Sequence, residues 1–336
     1  MTKASLPVLD LSRIDGPDRA QFLVELRDAA RNVGFFYLVG HGVPAELEAE
    51  VRREANAFFA LPEKDKLAVE MINSPHFRGY NRAGRELTRG APDWREQFDV
   101  HAEREALPQT PGAAPWTRLQ GPNQWPEAQP ALRPALLAWQ AQLTAVAIRL
   151  LSAFAEALEQ PKDTFDEITR DKPNQSMKII RYPGRKTVES DQGVGAHKDS
   201  GLLTLLIQDA IGGLQVQGEN GWIDATPIPG AFVVNIGELL ELASNGYLKA
   251  TIHRVVSPPE GRDRLSIAFF LGARLDAEVP LLALPPHLAA EATGPTADPQ
   301  NPLFRNVGEN YLKGRLRSHT DVAERYHSDL LAPARA

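Results

Sequence analysis

Apolar residues keep two rhythms along this chain of 336 residues. Up to about residue 160 they recur mostly at helical spacing; beyond about 175 they gather into short runs divided by turn residues, the texture of a β barrel or sandwich. "LPVLDLS" (6–12) reads as a short strand, and 16–34 as a helix stopped by Gly34. "FFYLVGHGVP" (35–44) is an apolar strand closed by a Gly/Pro turn. A charged amphipathic helix over 45–61 follows and ends before Pro62. Residues 74–100 form a long polar segment carrying glycines, arginines and aromatics, and 106–130 read as surface loop rich in Pro, Gly and Gln. A long helix with a strong apolar stripe, read as core, is predicted over 131–160.

The second half predicts the strands "SMKIIRYP", "LLTLLIQD", "GLQVQ", "WIDATP", "AFVVNIG", "KATIHRVVSP" and "RLSIAFFLG", with "GENG" (218–221) as a hairpin turn. After 280 comes a proline-rich link and then one helix over 309–331. The chain shows no internal repeat.

Composition narrows the function classes. A net charge of −6 argues against a nucleic-acid partner. The absence of cysteine excludes disulfides, thiolate metal sites and cysteine nucleophiles, and fits a reducing cytosol. The first residues lack the apolar segment of a secretory signal, and no stretch approaches the ~20 apolar residues of a membrane helix. The expectation is a cytoplasmic protein that engages neither membrane nor nucleic acid.

The candidate chemistry lies at "GVGAHKDSGLLTLLIQD" (193–209), where His197 and Asp199 stand at the mouth of an apolar run. In a strand, residues two apart share a face, so the two side chains can meet one ion. His253, in "KATIHRVV", shares a face with Thr251 and Val255, and Arg264 and Ser266 again share a face in "RLS". Two imidazoles and a carboxylate on one side of a metal leave its other positions open, the facial triad of non-haem iron(II) oxygenases. Arg264 suits a carboxylate, which its planar fork binds through two hydrogen bonds, and Ser266 and Tyr182 can complete that clamp.

In these residues the chain resembles the iron(II)/2-oxoglutarate-dependent oxygenases of the isopenicillin N synthase-like family. "LPVLDLS", "GFFYLVGHGVP" and "FRGY" resemble the family's N-terminal region. "RYP", "HKDSGLLTLLIQD", "GGLQVQ", "FVVNIGELLELASNGYLKATIHRVV" and "RLSIAFF" resemble its catalytic region. The resemblance implies a mainly β fold with flanking helices, around a distorted jelly-roll (double-stranded β-helix) core. It implies an N-terminal α/β region over 5–125, a connecting long helix over 126–173, the catalytic jelly roll over 174–278, and a C-terminal link and helix over 279–336.

It further implies His197, Asp199 and His253 as the catalytic Fe(II) ligands, with Arg264, Ser266 and Tyr182 holding 2-oxoglutarate. The implied reaction uses O2 to decarboxylate 2-oxoglutarate to succinate and CO2. It couples that step to hydroxylation or desaturation of an unactivated C–H bond in a small organic substrate. One alternative stays open: in isopenicillin N synthase a related set holds the substrate's own carboxylate and no 2-oxoglutarate is used. A non-catalytic jelly-roll binding module is a second alternative, disfavoured because no triad or clamp residue is missing. A zinc hydrolase using the same three ligands is disfavoured, because the H-E-x-x-H string of zinc proteases does not occur.

For the substrate pocket, Val255 and Phe270 are in phase with His253 and Arg264 and are read as apolar lining. Arg181, with Arg78 and Arg85, is read as a candidate contact for an anionic substrate. The 74–100 segment and the C-terminal helix are the candidate lids. His41, His76, His101, His287, His319 and His327 have no partner spacing and are assigned no role. Gly193-Val194-Gly195 opens no helix, so a dinucleotide site is unsupported.

Overall fold

The computed structural model describes residues 5–185, 192–296, 298 and 301–331; the end of the predicted 279–336 segment therefore lies outside the described residues. In chain order the strands are β1 (Val8–Asp10), β2 (Phe35–Val39), β3 (Gly79–Asn81), β4 (Leu87–Thr88), β5 (Ala91–Pro92), β6 (Glu96–His101) and β7 (Asn174–Tyr182). They continue as β8 (Gln192–His197), β9 (Leu203–Gln208), β10 (Leu214–Gly218), β11 (Gly221–Asp224), β12 (Phe232–Ile236), β13 (His253–Val256) and β14 (Arg264–Gly272). The helices are α1 (Arg19–Asn32), α2 (Ala45–Phe59), α3 (Glu63–Leu67), α4 (Leu132–Ala157) and α5 (Asp166–Thr169). After these come α6 (Glu238–Ala243), α7 (Pro286–Ala289), α8 (Val307–Ser318) and α9 (Thr320–Tyr326).

An eight-stranded sheet in the order β1-β2-β12-β9-β14-β7-β6-β3 faces a four-stranded sheet in the order β11-β10-β13-β8. Alternation along each central strand separates two environments. On β7, Met177 and Ile179 join the outer core with Trp139, Leu143 and Phe154 of α4, whereas Ile180 and Tyr182 turn inward. The inner cluster brings Phe35, Tyr37 and Val233 of the large sheet against Val194, Leu214, Val216 and Val255 of the small one. The arrangement is the mainly β jelly roll with flanking helices that the resemblance implied. Each large apolar side chain buried in these layers contributes roughly 1.5–3 kcal/mol.

Three expectations are corrected here. The 74–100 segment is not plain loop: it supplies β3, the β4–β5 hairpin and the start of β6. The C-terminal helix is two helices, α8 and α9, broken at His319. And α4 is long and apolar enough to cross a membrane by length and composition, contrary to the expectation that no stretch approaches this. Its buried residues instead pack on the sheet and on α1 and α2, the place of a core helix.

Candidate active site

Pairing of β13 with β8 closes the long sequence gap between the two histidines, because His253 lies directly opposite His197 in the register. Partners so placed in an antiparallel pair stand ~5 Å apart at Cβ. The rings are 4.3 Å apart between centroids, and Phe35 packs edge-on against His253 at 5.1 Å. Each imidazole is aimed through its second nitrogen. Nδ1 of His197 lies 2.8 Å from the Gly195 carbonyl and Nδ1 of His253 lies 3.1 Å from the Thr251 carbonyl. A carbonyl only accepts, so both Nδ1 atoms carry a proton and Nε2 is the nitrogen that each ring turns toward a metal.

Asp199 is not on the strand with His197. β8 ends at His197, and Asp199 sits in the turn beyond it, its carbonyl accepting from Glu238 N at 2.7 Å. The same turn packs backbone to backbone: a Cβ on Gly237 would collide with the Gly201 carbonyl. Asp199 Oδ2 accepts from Thr204 Oγ1 at 2.6 Å and Asn235 Nδ2 at 2.9 Å, which leaves Oδ1 turned to the histidines. Oδ1 lies 3.5 Å from His197 Nε2 and 3.7 Å from His253 Nε2, and the three candidate ligand atoms all fall within 4.8 Å of one another.

Electrostatics agree with a cation site. Burial alone would raise the Asp199 pKa, but His253, His197 and the Thr204 hydroxyl outweigh it and hold the carboxyl below its usual range. Burial and then the neighbouring His197 push His253 down to about 4, so its imidazole is neutral and able to ligate. Burial would lower the His197 pKa, but Asp199 and the Gly195 carbonyl outweigh it and raise it, so a metal ion bound here takes the place of a proton on His197. Two imidazole nitrogens and one carboxylate oxygen, converging from one side with hydrogen-bonded supports behind them, fit a divalent iron with open positions.

The clamp lies at the other end of the same interior. Arg264 and Ser266 share the inner face of β14, and Arg264 pairs in register with Tyr182 of β7. The Arg264 guanidinium stands 4.7 Å from the Tyr182 ring centroid, donates to Ser266 Oγ and to Gln208 Oε1 at 3.1 Å each, and is 1% exposed. Its Nε has no hydrogen-bond partner among the described residues. A buried cation of this kind, with no carboxylate paired to it among the described residues, suits an anion.

Both sequence segments match known families. Residues 6–128 match the family described as non-haem dioxygenase in morphine synthesis N-terminal, and residues 173–273 match the 2OG-Fe(II) oxygenase superfamily. The chain belongs to the 2OG-Fe(II) oxygenase superfamily. Among its relatives, 2-oxoglutarate-dependent dioxygenase frbJ of Dothideomycetidae sp. (strain 11243) is 36% identical over 100% of this chain and 96% of its own. A homoarginine-6-hydroxylase of Arabidopsis thaliana is 36% identical over 82% of this chain and 86% of its own. A Neurospora crassa protein solved with alpha-KG and thymine superposes with a TM-score of 0.73, at 27% identity, over 96% of this chain and 97% of that one. The chain is thus an Fe(II)/2-oxoglutarate dioxygenase, and its cofactor set is Fe(II), 2-oxoglutarate and O2. The comparisons support this reading over the 2-oxoglutarate-independent alternative.

Of the substrate-pocket expectations for this oxygenase, Val255 and Phe270 do fall on inner faces, Val255 buried and Phe270 half-buried beside Ser176 and Thr204. Arg181 does not. It lies on the outer face of β7, ion-paired to Glu96 at 3.1 Å and Asp263 at 2.8 Å, because strand alternation turns it away from Tyr182. Arg78 is buried with its guanidinium on the His76 and Leu119 carbonyls, and Arg85 is exposed. Three histidines dismissed from the sequence are interior: His101 on β6 and His319 at the end of α8, both hydrogen-bonded to Arg315, and His327, against the Pro75 carbonyl. Thr204, Asn235 and Gln208 were also missed. Their signal was a polar residue inside an otherwise apolar strand, "LTLLIQ" and "FVVNI", where burial demands a partner.

Proposed function

We propose that this dioxygenase hydroxylates an unactivated C–H bond of a small organic substrate, with His197, Asp199 and His253 as the iron ligands. Arg264, Ser266 and Tyr182 hold the distal carboxylate of 2-oxoglutarate, and Gln208 braces the guanidinium. The observation that carries this reading is the convergence of two Nε2 atoms and Asp199 Oδ1 within 4.8 Å, in one interior with a buried arginine that has no carboxylate partner among the described residues. Bound iron supplies the activation of O2 that a protein side chain cannot.

The chain's own residues do the rest. The Gly195 and Thr251 carbonyls fix the tautomers of the two histidines, and Thr204 and Asn235 fix the carboxylate. Arg264 fixes the direction from which the co-substrate reaches the metal. The apolar inner cluster around Phe35, Val194 and Val255 keeps water from the reacting centre. Hydroxylation is favoured over desaturation by relatives named as hydroxylases. The test is slow succinate release from Fe(II), 2-oxoglutarate and O2 without added substrate. It should occur in the parent protein and be lost in His197→Ala; equal release by both would sink the assignment.

A further inference from the structure

The barrel wall formed by β6 and β7 is charged rather than apolar. Gln97, Asp99 and His101 lie in register with Ile180, Lys178 and Ser176 and share their inward face, and Arg95 is in phase with them two residues earlier. A run of alternating charges crosses this wall. It begins at the metal strand, where Gly195 N donates to Asp93 Oδ1 at 3.1 Å, two residues before His197. Arg95 then bridges Asp93 at 3.3 Å and Glu86 at 2.7 Å, and Lys178 bridges Glu86 at 2.9 Å and Asp99 at 3.2 Å. Arg315 of α8 closes the run on Asp99 at 2.9 Å. One helical turn earlier, α8 sets the Tyr311 hydroxyl against Gly201 and Gly272, beside the Asp199 turn.

Stability does not account for such a wall. Paired buried ions cost several kcal/mol each to desolvate, and apolar replacements of similar volume are often no less stable. Two of its polar atoms are also unmet: Gln97 Oε1, an acceptor on a fully buried side chain, and Arg95 Nε, a donor on a side chain 9% exposed, have no partner among the described residues. An unmet acceptor and an unmet donor on one strand row, flanked by both signs of charge, suit a ligand that carries both signs itself. An apolar substrate would leave them unmet.

We propose that this wall recognises the primary substrate, and that the substrate is a small zwitterion of the amino-acid type. Its ammonium is received by Gln97 Oε1 and its carboxylate by Arg95 Nε, the two unmet atoms, with Asp99 and Arg315, already paired to each other, supplying the charge beside them. The inference rests on the oxygenase reading above and narrows it.

The test pairs binding with turnover. Free amino acids with neutral, acidic and basic side chains are titrated calorimetrically, without O2, into the protein loaded with Fe(II) and 2-oxoglutarate. The same compounds, their N-acetyl and methyl-ester forms, fatty acids and thymine are then assayed for stimulated succinate release. At least one free amino acid should bind and stimulate, and blocking either of its charges should lower kcat/KM roughly 10- to 100-fold. Asp99→Asn should shrink the preference for the free over the N-acetyl form, and Arg315→Gln the preference for the acid over the ester. A fold defect scales both rates alike and leaves these ratios unmoved. The proposal fails if a fatty acid or thymine outperforms every zwitterion, if no amino acid binds, or if the ratios survive both substitutions. Absence of slow succinate release from the unsubstituted protein would remove the oxygenase reading, and this inference with it.

Discussion

Arg264→Gln separates the clamp from the metal. In the parent protein the guanidinium is buried against the Tyr182 ring and held by Ser266 and Gln208, with no carboxylate ion-paired to it among the described residues. A carboxylate entering this site gains a paired cation and charge-assisted hydrogen bonds; with glutamine it must be desolvated without one. Leaving one partner of a buried pair unmatched costs about 3–5 kcal/mol. At about 1.4 kcal/mol per decade this weakens 2-oxoglutarate binding by roughly 10²- to 4 × 10³-fold. Arg264 hydrogen-bonds none of the three metal ligands, so iron affinity should change by no more than about twofold. The assay is an anaerobic titration of the iron-loaded protein with 2-oxoglutarate, following the visible charge-transfer band, beside equilibrium dialysis of iron alone. Co-substrate affinity within about threefold of the parent's, or iron and co-substrate lost together, would refute the reasoning.

Two further outcomes follow from the same geometry. Asn235→Ala removes one of the two hydrogen bonds that orient the Asp199 carboxylate, so iron affinity should fall about 10- to 100-fold. Competition with a chelator measures this, and an unchanged iron affinity would show the support to be idle. His319 is buried between Arg315 and Asn81, and Arg315 Nη1 faces its Nε2 at 3.2 Å. Arginine only donates, so Nε2 must accept, and protonation would set N–H against a cation. Burial pushes this histidine down to about 4, with Glu86 opposing and Arg315 and Lys178 assisting. Its pKa is depressed in the fold, so its contribution is present above the ordinary histidine value and is lost as pH falls towards 4. The loss reaches about 2 kcal/mol at pH 5. Thermal unfolding at pH 7 and pH 5 should show that limb in the parent and a shallower one in His319→Gln; parallel profiles would contradict it.

Much of the architecture was legible because each signal was local. Strand periodicity located β14, where Arg264, Ser266 and Phe270 alternate inward as their spacing predicted. It also located the β10–β11 hairpin and the long core helix α4. The ordered histidine, aspartate, histidine and arginine could be read as one site because family resemblance carries the pairing that the sequence alone does not. Where a strand's inner row is polar, periodicity misleads. "EQFDVH" has only Phe98 and Val100 on its apolar face, so β6 was taken for loop and His101 for a bystander.

The residue pattern by itself determined which elements form and which side chains share a face, since both follow from dihedral geometry and neighbouring residues. Tertiary structure alone decided what those faces meet. Strand pairing set His253 opposite His197, the β8–β9 turn packed on the start of α6 carried Asp199 to them, and the seating of α8 delivered Arg315 to Asp99. It likewise sent Arg181 outward to Glu96. These are contacts between residues far apart in the chain, fixed by the register of whole sheets. No short stretch of sequence contains that information.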